Sequence, residues 1–528
     1  MPGMAMTREN SQEPDREEPE DTTLVSAPMA SLFEVTKLRN LRSYSDNKRH
    51  DRSPGTTLQN DFISRGLVGQ AQAEELFRIF SGPLNQYLWG GIALIHDSLD
   101  AVRKSSSLLL AAILTVTALH VPGNERVFDI AYSEFLAHVS GSMFDRYHSL
   151  DDVRALAIGA FWLSDVSWKL SGHAVRIATE LQLHLSFAKA IEGHQDHVEK
   201  GRLWAFLYVC DHHFSIAYGR PPVIHEDLAI TNHEAFLQLP GITNADFRLH
   251  SQVSMFVILS RIYETFGPDS TKPLNAEGLK LLHLFNSQLD EWKMKWESRL
   301  APNPHINAYP GKGVLLHHQF GKLQLNSLAL RGMAPSTLCD TSPESSERRL
   351  FANRAVQNAV SALDIVLEEP DIRRALVGVP IYLLTTVTFA TVFLLKVRLN
   401  WHSACLDVDS SLILSLVERI VELLRDARAS DRHLARHISK GLRNLVDRFK
   451  EQDRQASRTA SSVSQQHISI PAAPTTAAED FQTMDNQIAW PQGQMDFGTM
   501  WGDFDSWGMD ENYLPLGMFN TLASQIPG

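Results

Sequence analysis

From about residue 70 to about residue 450 the apolar positions of this chain recur at helical spacing. Ala71–Tyr87 sets Leu76, Phe77, Ile79 and Phe80 where one helix face gathers them, and Asn124–Tyr147 does the same with Val127, Ile130, Ala131, Phe135 and Val139. Ser149-Leu150-Asp151-Asp152 reads as a helix start, because Ser149 supplies a capping oxygen and the two acids suit the positive end of a helix. Segments of the same period follow at roughly 167–184, 198–218, 250–267, 275–299, 312–332, 348–368, 376–399, 410–427 and 430–450. Alternating runs closed by tight turns, the mark of strands, are missing, and no repeat of fixed period is present. The pattern predicts an all-α fold of about a dozen helices in one large domain, 61–450, flanked by disordered N- and C-terminal tails.

Two segments are apolar all round. Ala375–Leu395 carries no charge over 21 residues, which meets the length of a membrane span. Pro380, four threonines and basic residues at both ends (Arg373, Arg374, Lys396, Arg398) favour instead a helix buried at the centre of a large helical protein. A membrane-anchored protein held through 375–395 is the alternative. The shorter run Leu108–Val121 reads as core.

Outside the domain the composition changes. Residues 1–60 are polar, acidic at first and then basic between Lys37 and Arg52, and cannot bury enough apolar surface to fold alone. Residues 451–474 form a second linker of low complexity. Residues 475–528 differ again: from Glu479 onward there are eight acidic residues, no basic ones, and interleaved rings that include Trp501, Phe504, Trp507 and Phe519. Acidic–hydrophobic alternation of this kind is the composition of transcriptional activation segments, whose acids keep the rings solvated until a basic-rimmed groove accepts them. The expected partner is a coactivator or mediator-type protein; the competing reading packs the tail's tryptophans on the domain.

Charge and chemistry narrow the class. A net charge of −12 gives no overall basic footprint, so contact with DNA is expected to be indirect. Three distant cysteines (Cys210, Cys339, Cys405) suit a reducing compartment rather than a disulfide framework. The N-terminus has no apolar stretch of the signal-peptide kind. No phosphate loop, nucleophile elbow or zinc-protease motif occurs. His212-His213 and His317-His318 are adjacent, and neighbours on a helix diverge by about 100°. His433 and His437 have ligand spacing but no third ligand, and read as a solvated helix face. No catalytic, metal or cofactor residue is assigned, and no enzyme is expected; a helical enzyme or ligand-binding protein is kept as a further alternative.

The stretch Ser167–Pro222 carries the remaining signal. Trp168, Leu170, Ala174, Ile177, Ala178 and Leu181 form one apolar stripe, and small Ser171, Gly172 and Ala174 suggest close approach of a neighbouring helix. A second helix gathers Leu203, Phe206, Leu207, Cys210 and Phe214, and stops where Gly219 offers a C-terminal cap and Pro221-Pro222 forbid continuation. A guanidinium, Arg202 or Arg220, is expected to hold Asp211. Trp204 is expected in the core. These features by themselves specify packing, not a pocket.

The two segments together resemble the middle regulatory region of fungal zinc-cluster transcription factors, the fungal-specific transcription factor domain. The first ends in Ala178-Thr179-Glu180-Leu181-Gln182-Leu183-His184, with Gln182 where that family has glycine. The second keeps Arg202, Trp204, Leu207, Tyr208, Asp211, Ser215, Gly219, Arg220, Pro221 and Ile224, and departs at Gly201, Ala205 and His212. The resemblance covers about 60–300 directly. It makes Trp168, Gly172, Arg202, Trp204, Asp211, Gly219, Arg220 and Pro221 family-motif structural residues. It implies a nuclear regulator of RNA polymerase II transcription similar to zinc-cluster activators, with activation and repression both left open, with homo- or heterodimerisation to a DNA-binding regulator and an unknown small-molecule effector as further partners and no membrane. The family carries an N-terminal six-cysteine cluster holding two zinc ions, whereas this sequence has no cysteine before Cys210. Zinc is therefore expected only with a cluster outside these residues. A truncated product and a natural cluster-less regulator both stay open.

Overall fold

A computed structural model describes residues 61–465, apart from 146, 219, 268–271, 401–405 and 408, and these residues fall in one compact unit. The order of the principal helices is α1 (Gln70–Ile79), α2 (Leu99–Ser105), α3 (Ser107–His120), α4 (Glu125–Ser142), α5 (Leu150–Trp162), α6 (Ser167–Glu180), α7 (Ser186–Ile191) and α8 (Asp196–Tyr218). They are followed by α9 (Asn244–Phe266), α10 (Ala276–Glu297), α11 (Tyr309–Ser327), α12 (Pro343–Glu368), α13 (Pro370–Ala375), α14 (Ile381–Asn400), α15 (Ser410–Arg425) and α16 (Leu434–Gln465). Among the described residues there is no strand, only an isolated bridge between Asn303 and Asn307. The all-α class follows from the helical period of the apolar positions.

Local chemistry sets several boundaries. At the start of α5 the Ser149 hydroxyl accepts from the Asp152 N–H (3.2 Å) while the Asp152 carboxylate accepts from the Ser149 N–H (2.9 Å), a reciprocal box that satisfies two otherwise orphaned donors. Asp151 is turned inward, where it accepts from His96 (2.6 Å), from Arg154 (2.7 Å) and from the Ser105 hydroxyl, and ties α5 to the end of α2 and to the segment ahead of α2. The segment 71–87 does not run as one helix. After α1 the backbone widens into a π-turn over Phe80–Leu84 and resumes at Asn85–Tyr87. Pro83 sits inside that turn, and its missing N–H is the physical reason the regular ladder is interrupted there.

The apolar segments lie at the centre. In α3 thirteen of fourteen side chains are buried. Ile381–Arg398 of α14 is long and apolar enough to cross a membrane, and 89% of it is buried inside the protein, against α12, α15, α16, α8, α11 and α5. Pro380 precedes the helix rather than kinking it. Thr385, Thr386, Thr388 and Thr391 each donate their hydroxyl to the carbonyl four residues earlier (3.1, 2.7, 2.7 and 2.8 Å), so these four hydroxyls are satisfied within α14. Close helix packing depends on glycine at positions other than Gly172. A Cβ at Gly159 would lie 2.7 Å from the Phe135 ring and 2.9 Å from Leu170, and one at Gly321 would lie 2.5 Å from Met255, whereas Gly172 faces open space. Ser171 and Ala174 are buried, so the expected close approach holds for the helix but not for its glycine.

Candidate functional site

The residues singled out on α6 and α8 form a set of braces. α8 is anchored by its apolar positions, with Leu203, Phe206, Leu207, Cys210 and Phe214 all buried. Its polar side chains then reach outward to the segment that follows. Trp204 is 5% exposed, and its indole N–H donates to the Asp227 carboxylate at 3.0 Å. The other oxygen of Asp227 accepts from the Ile230 N–H (2.9 Å) and caps the short helix Leu228–Thr231. Trp204 therefore fixes the start of that helix as well as filling the core.

Asp211 is not held by a guanidinium. It is 1% exposed, and one carboxylate oxygen accepts from the backbone N–H groups of Val223 (2.7 Å) and Ile224 (2.8 Å). These are the first two donors after Pro221-Pro222, which have none, so the carboxylate anchors the chain as it leaves α8. Burial pushes the Asp211 carboxyl up to about 6, against the lowering influence of those two N–H groups. Arg202 instead reaches across to Asp246, bidentately at 2.6 and 3.1 Å. Asp246 is fully buried and at the same time accepts from the N–H (2.9 Å) and hydroxyl (3.1 Å) of Thr243, the box that opens α9. A paired guanidinium makes this buried acid tolerable.

Arg220 joins the two motifs. Its guanidinium carbon lies 5.0 Å from the centre of the Trp168 ring, and its backbone N–H donates to the Ser215 carbonyl at 2.8 Å. Pro221 is exposed, and Gly172 is half-buried. Gly219 lies outside the described residues, as do the tail positions Trp501, Phe504, Trp507 and Phe519. Trp168, Arg202, Trp204, Asp211 and Arg220 thus hold one local structure, the return of the chain from α8 into α9, with no nucleophile or ligand set among them. Burial pushes the Cys210 thiol up, as suits a small core residue.

The histidines are mostly interior. The His212 ring N–H donates to the Tyr208 carbonyl at 2.8 Å, the ring lies against that of Tyr208, and burial lowers His212 to about 4. His433 is not on a solvated helix face. It precedes α16, is 3% exposed, contacts the Val377 carbonyl at 3.1 Å and packs its ring on His120 at 5.0 Å between centroids. The i,i+4 spacing to His437 was misleading because His433 lies in the turn before the helix. Among the described residues no group of three or more histidine, cysteine or acidic side chains is placed to hold a metal. Asp227 and Asp246, the acids that anchor Trp204 and Arg202, escaped the sequence reading. Asp246 was visible as the last residue of Thr243-Asn244-Ala245-Asp246, a capping pattern ahead of an apolar run.

Residues 66–449 match the family model described as the middle domain of the transcriptional activator of proteases prtT. Over 527 residues, 98% of this chain, the sequence is 49% identical to the transcriptional activator of proteases prtT of Emericella nidulans, of which it covers 77%. No solved structure matches the chain.

Proposed function

The chain belongs to the family with the middle domain of the transcriptional activator of proteases prtT and is a fungal transcription regulator, and from this premise we propose that it activates genes for proteases. The observation that carries the reading is identity of 49% sustained over 98% of the chain, well beyond the helical domain and into both tails. On this reading the protein acts in the nucleus and is not an enzyme. The helical domain is the regulatory body, and 475–528, with its eight acids and its rings, is the segment that recruits a coactivator. DNA is reached through a partner or through a cluster outside these residues.

Deletion of the gene in its host, with transcript sequencing and a secreted-protease assay on protein medium, tests the proposal. Protease transcripts and activity are expected to fall and to return on complementation. Unchanged protease transcripts would reject the target class while leaving family membership intact. A fluorescent fusion expressed from the native locus is expected to concentrate in the nucleus.

A further inference from the structure

Arg248 of α9 is a buried cation whose described partners include no anion. It is 6% exposed, donates to the Gln86 carbonyl at 2.9 Å, and lies 5.9 Å from the centre of the Tyr309 ring. Burial lowers it to about 10 even so, with the Tyr309 and Tyr87 hydroxyls the acidic groups acting on it. A guanidinium removed from water is costly unless an opposite charge compensates it. Arg202 and Arg154 show the contrast, since both are paired to carboxylates.

Arg248 faces a cavity of about 50 Å³, space for roughly three to five waters at about 10–15 Å³ each. His213, Gln252, Tyr309, His317 and Tyr382 line it with Arg248, as do half-buried Tyr87 and Leu300. The wall holds unsatisfied polar atoms. His213 is 3% exposed, its ring stacks on Tyr382 at 4.2 Å, and neither ring nitrogen has a partner. The Gln252 side-chain carbonyl, 7% exposed and one helical turn from Arg248, is also without a partner. Guanidinium, tyrosine hydroxyls and imidazole make the wall rich in donors. Val314 and Leu383 supply an apolar side.

We propose that this cavity binds a small organic carboxylate, its anionic end on Arg248 and its short carbon chain against Val314 and Leu383. A single planar guanidinium matches a carboxylate in charge and in geometry. A phosphate would bring a second charge that the cavity does not compensate. The walls come from α8, α9, α11, α14 and the turn around Tyr87, so a bound carboxylate bridges elements far apart in sequence. As an effector site it rests on the regulatory reading above. The site itself does not, since a chain that binds the carboxylate but leaves protease genes unaffected keeps the site and loses the function.

The test is titration of the full chain with sodium butyrate, butyramide, sodium phosphate and sodium chloride at matched ionic strength, followed by calorimetry and by the thermal midpoint. Butyrate is expected to bind at least about tenfold more tightly than its neutral isostere and to raise the midpoint, as a ligand selective for the folded state must. Arg248→Met should bring the two affinities within about twofold of one another. Gln252→Glu is nearly isosteric and places a carboxylate beside the guanidinium, so it should abolish butyrate binding and raise the midpoint without ligand, even where Arg248→Met fails to fold. Equal response to butyrate and butyramide would overturn the proposal and leave a water-filled cavity. So would tighter binding of phosphate than of butyrate, or butyrate binding undiminished by Gln252→Glu.

Discussion

Trp204 and Asp211 lie seven residues apart on α8 and do comparable work, holding the returning chain by one side chain each. For Trp204 the burial of the ring dominates the single hydrogen bond. Trp204→Ala is expected to cost about 3–5 kcal/mol by loss of buried surface and creation of a cavity. An unchanged midpoint of urea denaturation would remove Trp204 from the core. For Asp211 the balance runs the other way, because burial disfavours the charge that its two N–H donors favour. Its folded value, raised to about 6 from 3.8, means that the stability it contributes is complete below about pH 3.8 and is lost as pH rises through about 6. Asp211→Asn keeps an acceptor for the backbone and removes the charge. The stability of Asp211→Asn relative to the parent should therefore improve between pH 4 and 7, by about 1–3 kcal/mol. A difference that stays flat across that range would contradict the raised value.

The helices themselves were legible because apolar periodicity is a local property of sequence, and so was the Ser149–Asp152 box, whose two members are three residues apart. What escaped were features set by contact between elements. Gly159 and Gly172 look alike in sequence, yet only the first faces a neighbouring ring, and nothing within α5 or α6 announces which helix approaches which face. Arg202 found Asp246 across 44 residues rather than Asp211 about two and a half turns along its own helix. The interior position of His433 was hidden for the same reason, since its partners lie on α3 and ahead of α14. Gly159→Ala drives a methyl into Phe135 and Leu170 and is expected to cost about 1–3 kcal/mol, whereas Gly172→Ala, on a half-buried helical position with open space around the added methyl, should stabilise by up to about 1 kcal/mol. Reversal of that order in thermal denaturation would mean that the two helices pack differently.

At the scale of the whole chain, the regulatory class was readable from one pair of motifs, whose Trp168, Arg202, Trp204, Asp211 and Arg220 brace the return of the chain from α8 into α9. The Arg248 cavity was unreadable because its lining is gathered from five separated segments. The acidic tail is a matter of composition and makes its own prediction. Fused to an unrelated DNA-binding domain, 475–528 is expected to activate a reporter. Trp501, Phe504 and Trp507 replaced together by alanine should remove most of that activity at unchanged charge, and Asp503 and Asp505 replaced by asparagine should remove less, because rings supply buried contact and acids chiefly steer encounter. A silent parent fusion, or full activity of the triple variant, would argue for a tail without that role.

The threonines of α14 have a consequence for synthesis. Because each hydroxyl is returned to its own backbone, the threonines need no polar partner from elsewhere, and the chief demand of residues 381–395 on the rest of the protein is cover for their apolar surface. Part of that cover, α15 and α16, lies downstream and leaves the ribosome later. During that interval the nascent chain displays an uncharged apolar rod of the kind that chaperones and the secretory sorting machinery both seize. Speed of translation through 400–450 is thus a determinant of yield. Slowing it with rare codons should increase capture of the nascent chain by chaperones without altering a single residue of the finished protein.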